Sequence, residues 1–155
     1  AYELEGLTQI AVDSIFMLPH LGVFSTVHPE AAEEILMRDC LINLGHSIAP
    51  VFPPKYKGEV IARIMIAEKE IGQVLKNQVS LCKVPNGTTV DISVLPESSD
   101  IDVGAGLGEV LYKTIEVGDL GIILDGRNRP IVFLDDPSRR IALQRSIYDN
   151  LKLRY

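Results

Sequence analysis

The sequence predicts an α+β protein with a helical N-terminal part, a small, mainly antiparallel β-sheet or barrel, and a C-terminal helix. Three observations support this prediction. Residues 28–45 have helical periodicity, short runs rich in Val and Ile separated by turn signals follow residue 58, and Asp136-Pro137 opens a last helical segment. The chain has 155 residues, of which 46% are hydrophobic and 23% are charged, as in a globular domain with one core.

The first 54 residues are predicted to form a helical subdomain. Residues 7–12 alternate weakly, as in a short strand, and Asp13-Ser14 follows where a helix cap belongs. The strongest helix prediction covers 28–45, since Pro29 suits a first helical turn and Gly45 suits the left-handed position after a last turn. The apolar stripe of this helix consists of Ala32, Ile35, Leu36 and Cys40.

A proline-rich segment marks the clearest break in the chain. Pro50, Pro53 and Pro54 stand within five residues. Proline can neither continue a helix nor pair in the centre of a sheet. We therefore predict three parts: a helical subdomain at 1–54, a β-rich subdomain at 55–134 and a C-terminal helix at 135–155.

The β-rich part contains six short runs of strand-forming residues. Asn86-Gly87 and Asp125-Gly126 are typical of tight turns between antiparallel strands. Residues 61–75 fit a helix as well as a strand, so their structure stays open. The predicted strands are 60–66, 79–84, 89–95, 110–117, 120–124 and 131–134.

The C-terminal segment begins with a capping residue, Asp136, followed by a first-turn proline, Pro137. Its predicted apolar face consists of Leu143, Ile147, Tyr148 and Leu151. The segment is basic, with a net charge of +2, whereas residues 1–54 have a net charge of −6. A basic tail of this kind could dock on the acidic part.

Charge and apolar content exclude several classes of function. The formal net charge of −6 argues against nucleic acid as a partner. The sequence contains no run of 18 apolar residues, so it predicts no membrane-spanning helix, and we expect no membrane partner. Cys40 and Cys82 are too few for a disulfide framework and are typical of buried thiols, which predicts a cytoplasmic protein.

The strongest loop signal is the glycine-rich segment 100–109. Its candidate ligand-binding residues are Asp102, Gly104, Gly106 and Gly108, whose backbone N–H groups would cradle an anion. A structural loop between strands is the competing interpretation, because the spacing is not that of a dinucleotide-binding motif and no helix follows. A third interpretation is a small enzyme that uses Asp100 or Asp102 as a base.

Other candidate sites are weaker. His20, His28 and His46 lie near one another in sequence, but the predicted helix separates them, so no metal site is expected. No serine or cysteine has the context of an activated nucleophile, and we predict no catalytic residue. Residues 125–130 are predicted to form a solvated hairpin tip with two exposed bases, Arg127 and Arg129.

Several segments together resemble the C-terminal region of one family, the glutamate mutase accessory proteins, sometimes called MutL. The resemblance covers most of residues 7–134 through several short matches in the same order. These matches are 13–23 (DSIFMLPHLGV), 28–32 (HPEAA), 38–41 (RDCL), 44–45 (LG), 48–51 (IAPV), 102–106 (DVGAG) and 121–130 (GIILDGRNRP).

The resemblance implies a function that the residues alone do not indicate. Members of this family have an actin-like ATPase fold and act as reactivating chaperones for adenosylcobalamin-dependent mutases. They are considerably longer than this chain, and their N-terminal phosphate loop has no counterpart here. We therefore expect a fragment that contacts the mutase or the rest of the ATPase fold, or pairs with a second copy. On this expectation the chain carries no cofactor, ATP belongs to the full-length protein, and an exposed apolar patch remains.

Overall fold

A computed structural model describes residues 4–131 and 136–151, and within the last helix the side chains of 143, 150 and 151 are not described. In these ranges the chain forms eight strands, three α-helices and one π-helical turn. In order they are β1 (Gly6–Asp13), α1 (Leu18–Phe24), α2 (Pro29–Ile35), the π-helical turn (Leu36–Cys40), β2 (Leu41–Ala49), β3 (Val60–Ile66), β4 (Lys69–Leu75), β5 (Val79–Cys82), β6 (Thr89–Pro96), β7 (Leu111–Glu116), β8 (Ile122–Asp125) and α3 (Pro137–Leu151).

The strands form two four-stranded sheets. Sheet 1 has the order β1-β2-β8-β5 and sheet 2 the order β4-β3-β6-β7. Every pairing is antiparallel except that of β2 with β8. The predicted α+β class with a mainly antiparallel sheet is confirmed, and across the described ranges the strands make two open sheets rather than a closed barrel.

The predicted helix 28–45 is wrong in its second half. Helix α2 begins at Pro29, as predicted, but ends at Ile35, and β2 follows the π-helical turn from Leu41. β2 lies between β1 and β8 and hydrogen-bonds to both, so tertiary pairing overrides the helical periodicity. Gly45, predicted as a helix cap, is a strand residue. A Cβ there would lie 2.4 Å from the carbonyl oxygen of Gly121, so the glycine permits close backbone approach.

The N-terminal 54 residues are not a helical subdomain, because both β1 and β2 belong to sheet 1. β2 pairs with β8, which lies beyond the proline-rich segment, so the predicted boundary separates strands of one sheet. The segment itself is anchored by Val51, whose N–H and carbonyl both bond to the backbone of Asp102 at 2.8 and 2.9 Å. The prolines therefore link the two sheets rather than divide two subdomains.

Residues 61–75, which the sequence left open, form the β3–β4 hairpin. Its turn residues, Ala67 and Glu68, have positive φ angles of 48° and 65°. Tight turns of this type usually use Asn or Gly, so the sequence carried no turn signal. The predicted strand 131–134 falls largely outside the described residues.

The C-terminal helix is confirmed, and Asp136 caps it by accepting a 2.8 Å hydrogen bond from the backbone N–H of Ser138. Helix α3 packs on β5. Docking of this basic segment on the acidic N-terminal part stays a prediction. Of its predicted apolar face, Ile147 is half-buried and Tyr148 is exposed, and the side chains of Leu143 and Leu151 are not described.

One hydrophobic core serves both sheets. Sheet 1 contributes from β2, β5 and β8, sheet 2 contributes from all four of its strands, and the connecting segments add three more side chains. The buried members are Ile48, Phe52, Ile61, Ala62, Ile64, Val74, Cys82, Ile92, Val94, Ile101, Val103, Ile115, Ile122 and Leu124.

Candidate functional site

The chain between β1 and β2, together with the last two residues of β1 and the first two of β2, forms a helical arm, which is defined here as residues 12–42. In the arm α1 packs on α2, and α2 packs on the π-helical turn. Asp13 fixes the start of the arm, because its Oδ2 accepts a 2.8 Å hydrogen bond from the N–H of Leu18. That bond, together with smaller contributions from the N–H groups of residues 15–17, lowers the pKa of Asp13 below its usual value.

The arm carries most of the exposed apolar surface of the described residues. Nine of the thirteen large apolar side chains that are exposed lie in it. We call this set the arm surface, and it consists of Val12, Ile15, Phe16, Leu18, Val23, Phe24, Val27, Met37 and Ile42. An exposed apolar patch was expected, but its place was not, although the apolar run 15–18 beside Pro19 was a signal for it. Scattered exposed apolar residues are ordinary, whereas a concentration of them marks an interaction site.

Phe16 is the most exposed member of the arm surface. Its side chain is 83% exposed, and its backbone has a positive φ of 57°. Residues with a side chain of this size rarely adopt this left-handed conformation, which costs roughly 1–2 kcal/mol. Strained backbone of this kind is concentrated at functional positions.

A shallow groove of about 240 Å³ lies between α1 and α2. It is lined mainly by apolar side chains, among them Leu18, Leu21 and Leu36. The arm around it is acidic, with five carboxylates and one base, Arg38. The arm therefore combines a concentration of exposed apolar side chains with a net negative charge.

The predicted anion cradle, Asp102 to Gly108, uses its own N–H groups internally. Oδ1 of Asp102 accepts hydrogen bonds from the N–H groups of Gly104 at 2.7 Å and Gly106 at 3.1 Å. The N–H of Gly108 donates to the carbonyl of Ile101 at 2.8 Å. The structure thus brings all four predicted residues together, but the carboxylate of Asp102 occupies the position that a bound anion would take. Binding of a ligand by this loop stays a prediction.

The glycines of the loop also have packing roles. Gly104 has a φ of +104°, and a Cβ there would lie 3.0 Å from the Cα of Gly6. Gly108 has a φ of +72°, and a Cβ there would lie 2.8 Å from the Cα of Ser99. Close backbone approach and left-handed geometry therefore account for these glycines without a ligand. Asp100, the other predicted base, is exposed and accepts a hydrogen bond from the hydroxyl of Ser98.

The segment 125–130 is a buried polar network and not the solvated tip that was predicted. Asp125 is 5% exposed and forms ion pairs with Arg127 at 2.8 Å and with Arg129 at 3.0 Å. The side chain of Arg129 is only 3% exposed, and its Nε donates to the carbonyl of Leu4 at 2.8 Å. The two bases are turned inward because they share one buried carboxylate.

Asp125 stays ionised within this network. Burial alone would raise the pKa of Asp125, but the hydrogen bonds and charges of Arg127 and Arg129 outweigh burial and lower that pKa below its usual value. The same segment reaches the proline-rich region, because Asn128 exchanges two hydrogen bonds, of 2.7 and 3.2 Å, with the backbone of Phe52. The network ties the end of β8 to two distant parts of the chain, so its role is structural.

The three histidines lie in different environments. His20 and His28 are exposed on the arm, and His46 is buried in β2. Within residues 4–131 and 136–151 no three His, Cys, Asp or Glu side chains are placed to share a metal ion. Cys40 and Cys82 are both buried and unpaired, as predicted.

Among the described residues, no helix has the length and apolar character needed to cross a membrane. Comparison of the chain with models of known protein families, with curated proteins and with solved structures finds no match.

Proposed function

We propose that this chain is the partner-contact region of a reactivating chaperone for an adenosylcobalamin-dependent mutase, without catalysis of its own. The observation that carries the proposal is the arm surface, a concentration of exposed apolar side chains on an arm that packs mainly on itself. The resemblance to the glutamate mutase accessory proteins supplies the partner. Two of its matches, 13–23 and 28–32, make up a large part of the arm.

A protein partner would remove the exposed apolar side chains of the arm from water. Exposed apolar side chains gain roughly 25 cal/mol for each Å² of apolar area that a partner removes from water. Aromatic side chains such as Phe16 and Phe24 are enriched at protein–protein interfaces relative to the rest of the surface. The strained backbone of Phe16 is understandable if its ring is held out for a partner.

Charge indicates the chemistry of the surface that the arm would meet. The arm has a net charge of −4, with Glu30, Glu33 and Glu34 on α2. A complementary partner would present an apolar patch bordered by basic residues. Of the possible contacts, we propose the mutase, and a second copy of the chain becomes an outcome of the test.

The glycine-rich loop supports an alternative function less well. Its N–H groups at Gly104, Gly106 and Gly108 already donate within the loop. An incoming anion would have to displace the carboxylate of Asp102 from these N–H groups. The two negative groups would then lie close together and repel each other. For this reason we base the proposed function on the arm and not on the loop.

The test is calorimetric titration of this chain into purified glutamate mutase, with Phe16→Asn as the arm variant. Asn tolerates the left-handed backbone, so the variant should fold normally. Tyr112→Thr is the matched control, because Tyr112 is an aromatic residue that is 75% exposed on sheet 2, far from the arm in sequence. We expect Phe16→Asn to weaken binding at least about tenfold, as for a central interface residue, and Tyr112→Thr to leave it within about twofold.

The titration has three informative results besides the expected one. Binding that falls equally in both variants, or that is absent in the wild-type chain, would overturn the proposed function. Self-association of the chain that Phe16→Asn abolishes would assign the arm surface to a second copy instead. If the mutase binds the arm, binding should weaken as salt rises, since the arm has a net charge of −4.

A further inference from the structure

A second concave site lies away from the arm, between the two sheets. This cleft has a volume of about 410 Å³, within the range of small-molecule sites. One wall comes from β1 and β2 of sheet 1, and the other from β7, the edge strand of sheet 2. The polar residues that line it are Gln9, His46, Lys113, Thr114 and Glu116, of which the first three lie on the inner faces of the sheets.

Strand register brings these three side chains to facing walls. Gln9 pairs with His46 across the β1–β2 ladder, and residues directly opposite in an antiparallel pair lie on the same face. Lys113 pairs with Ile92, which is a buried core residue. Lys113 therefore lies on the face of β7 that is turned toward sheet 1.

The acidic residues of β6 and β7 belong to the other face. Thr114 pairs with Asp91, and its hydroxyl donates a 2.6 Å hydrogen bond to the carboxylate of Asp91. Glu116 alternates with Ile115 in the same way and pairs with Thr89. Glu116 is nevertheless among the residues that line the cleft, and on the inner face of β7 itself the charged side chain is that of Lys113.

His46 supplies the observation that points to a ligand. Its residue is 7% exposed, and its buried Nδ1 has no hydrogen-bond partner among the described residues. Most buried polar atoms are hydrogen-bonded, and an unpaired one calls for a water, an ion or a ligand nearby. Burial lowers the pKa of His46, so at neutral pH the ring is neutral and can donate one hydrogen bond and accept another.

Lys113 has an alternative explanation that leaves His46 unaccounted for. A lysine that points inward on an edge strand protects the edge from pairing with another chain. Edge protection needs neither a cleft nor a buried histidine on the opposite wall. A binding site, by contrast, uses the cleft, the cation of Lys113 and the buried His46 together.

We propose that this cleft binds a small molecule through a phosphate or carboxylate group. The ammonium of Lys113 would neutralise the charge of the oxyanion, and His46 and Gln9 would supply the hydrogen bonds that orient it. A neutral histidine suits this role, because it adds a donor without requiring a second buried charge. This site is independent of the arm surface and of the proposed function.

The experiment follows the histidine side-chain signals of the ¹⁵N-labelled chain by nuclear magnetic resonance at neutral pH. Inorganic phosphate and acetate are titrated separately at constant ionic strength, balanced with chloride. We expect a saturable shift of the His46 signals, while the exposed His20 and His28 report on non-specific effects. A response to phosphate alone indicates a phosphorylated ligand, and a response to acetate alone indicates a carboxylate.

Two lysine variants make the test specific. Lys113→Gln should weaken the binding of the responding anion at least about tenfold, as expected for loss of the charged partner. Lys69→Gln is the matched control, since Lys69 is exposed on β4, the opposite edge strand of sheet 2, and it should leave binding unchanged. The proposal is overturned if neither anion moves the His46 signals, or if both variants weaken binding equally. Thermal unfolding of Lys113→Gln checks that the variant remains folded.

Discussion

The two sheets and the helical arm differ in what their apolar residues contact. In the sheets Ile48, Ile64 and Ile122 have no exposed surface, because each sheet covers the other. In the arm, by contrast, only Leu21, Ala32 and Cys40 are buried among the large group of apolar residues. Apolar content therefore does not decide burial. A segment is buried when a second layer covers it, and within residues 4–131 and 136–151 no such layer covers the arm.

Ion pairs show the same contrast. Asp125 and Arg129 form a buried pair at the end of β8, whereas Arg38 of the arm pairs with Glu34 and Asp39 in solvent. A buried pair cannot exchange its partner for water, and an exposed pair can. We therefore expect the unfolding free energy to fall on substitution of buried residues in the sheets and to change little on matched substitutions in the arm.

The largest effect on stability should come from Asp125→Asn. This substitution leaves the buried guanidinium of Arg129 without its charged partner, which costs roughly 3–5 kcal/mol of unfolding free energy in comparable buried pairs. Asp39→Asn is the matched change in the arm and should hardly alter the denaturant midpoint. Urea unfolding of both variants measures the difference.

The lowered pKa of Asp125 also predicts how the stability of the chain depends on pH. The folded-state pKa of Asp125 is lowered, so its stabilising effect is complete above the unfolded value, about 3.9, and is lost as the pH falls through the folded value. Stability of the wild-type chain should therefore decline in acid more steeply than that of Asp125→Asn. Parallel acid profiles, or equal losses in Asp125→Asn and Asp39→Asn, would contradict the contrast between buried and exposed pairs.

A second pair of substitutions compares apolar residues directly. Ile64→Ala removes a fully buried side chain from the shared core and should cost roughly 2–5 kcal/mol of unfolding free energy. Val23→Ala removes a side chain of α1 that is 73% exposed, and should change the unfolding free energy by less than about 0.5 kcal/mol. A loss above about 1 kcal/mol for Val23→Ala would mean that the arm is packed against the body of the protein, that is, the two sheets and the loops that connect their strands.

Sequence reasoning was most successful where local chemistry decides structure. Asp136-Pro137 was enough to place the start of α3, and alternation rich in Val and Ile placed β3, β6 and β7 within one or two residues. These signals depend on a few neighbouring residues and on no distant partner. The α+β class followed from them.

The failures occurred where distant contacts decide structure. Residues 41–45 have the periodicity of a helix, but they pair with β1, and the same strand continues into the ladder with β8 at residues 46–48. The β3–β4 turn uses Ala67 and Glu68 at positive φ, where no Asn or Gly announced it. Arg127 and Arg129 resemble solvated turn residues until the burial of Asp125 is known. For the candidate sites, the sequence predicted an apolar patch without its position, and it did not predict the cleft beside His46.

The smallest effect distinguishes two residues with the same backbone conformation. Phe16 in the arm has a φ of 57° and Asn77 in the body has a φ of 60°. Asn is among the residues that tolerate this conformation, so the body already has a favourable residue there, whereas the arm retains a strained phenylalanine. Phe16→Asn should therefore raise the unfolding free energy by about 1 kcal/mol, since the exposed ring contributes little burial, and Asn77→Ala should lower it by a similar amount. Thermal and urea unfolding of the two variants measure both changes.

A loss of stability in Phe16→Asn would show that the ring packs within the chain, and the arm surface would then lose its strongest member as a binding residue. A gain in stability accompanied by weaker binding to the mutase would instead identify Phe16 as a position where the chain retains strain for the sake of contact.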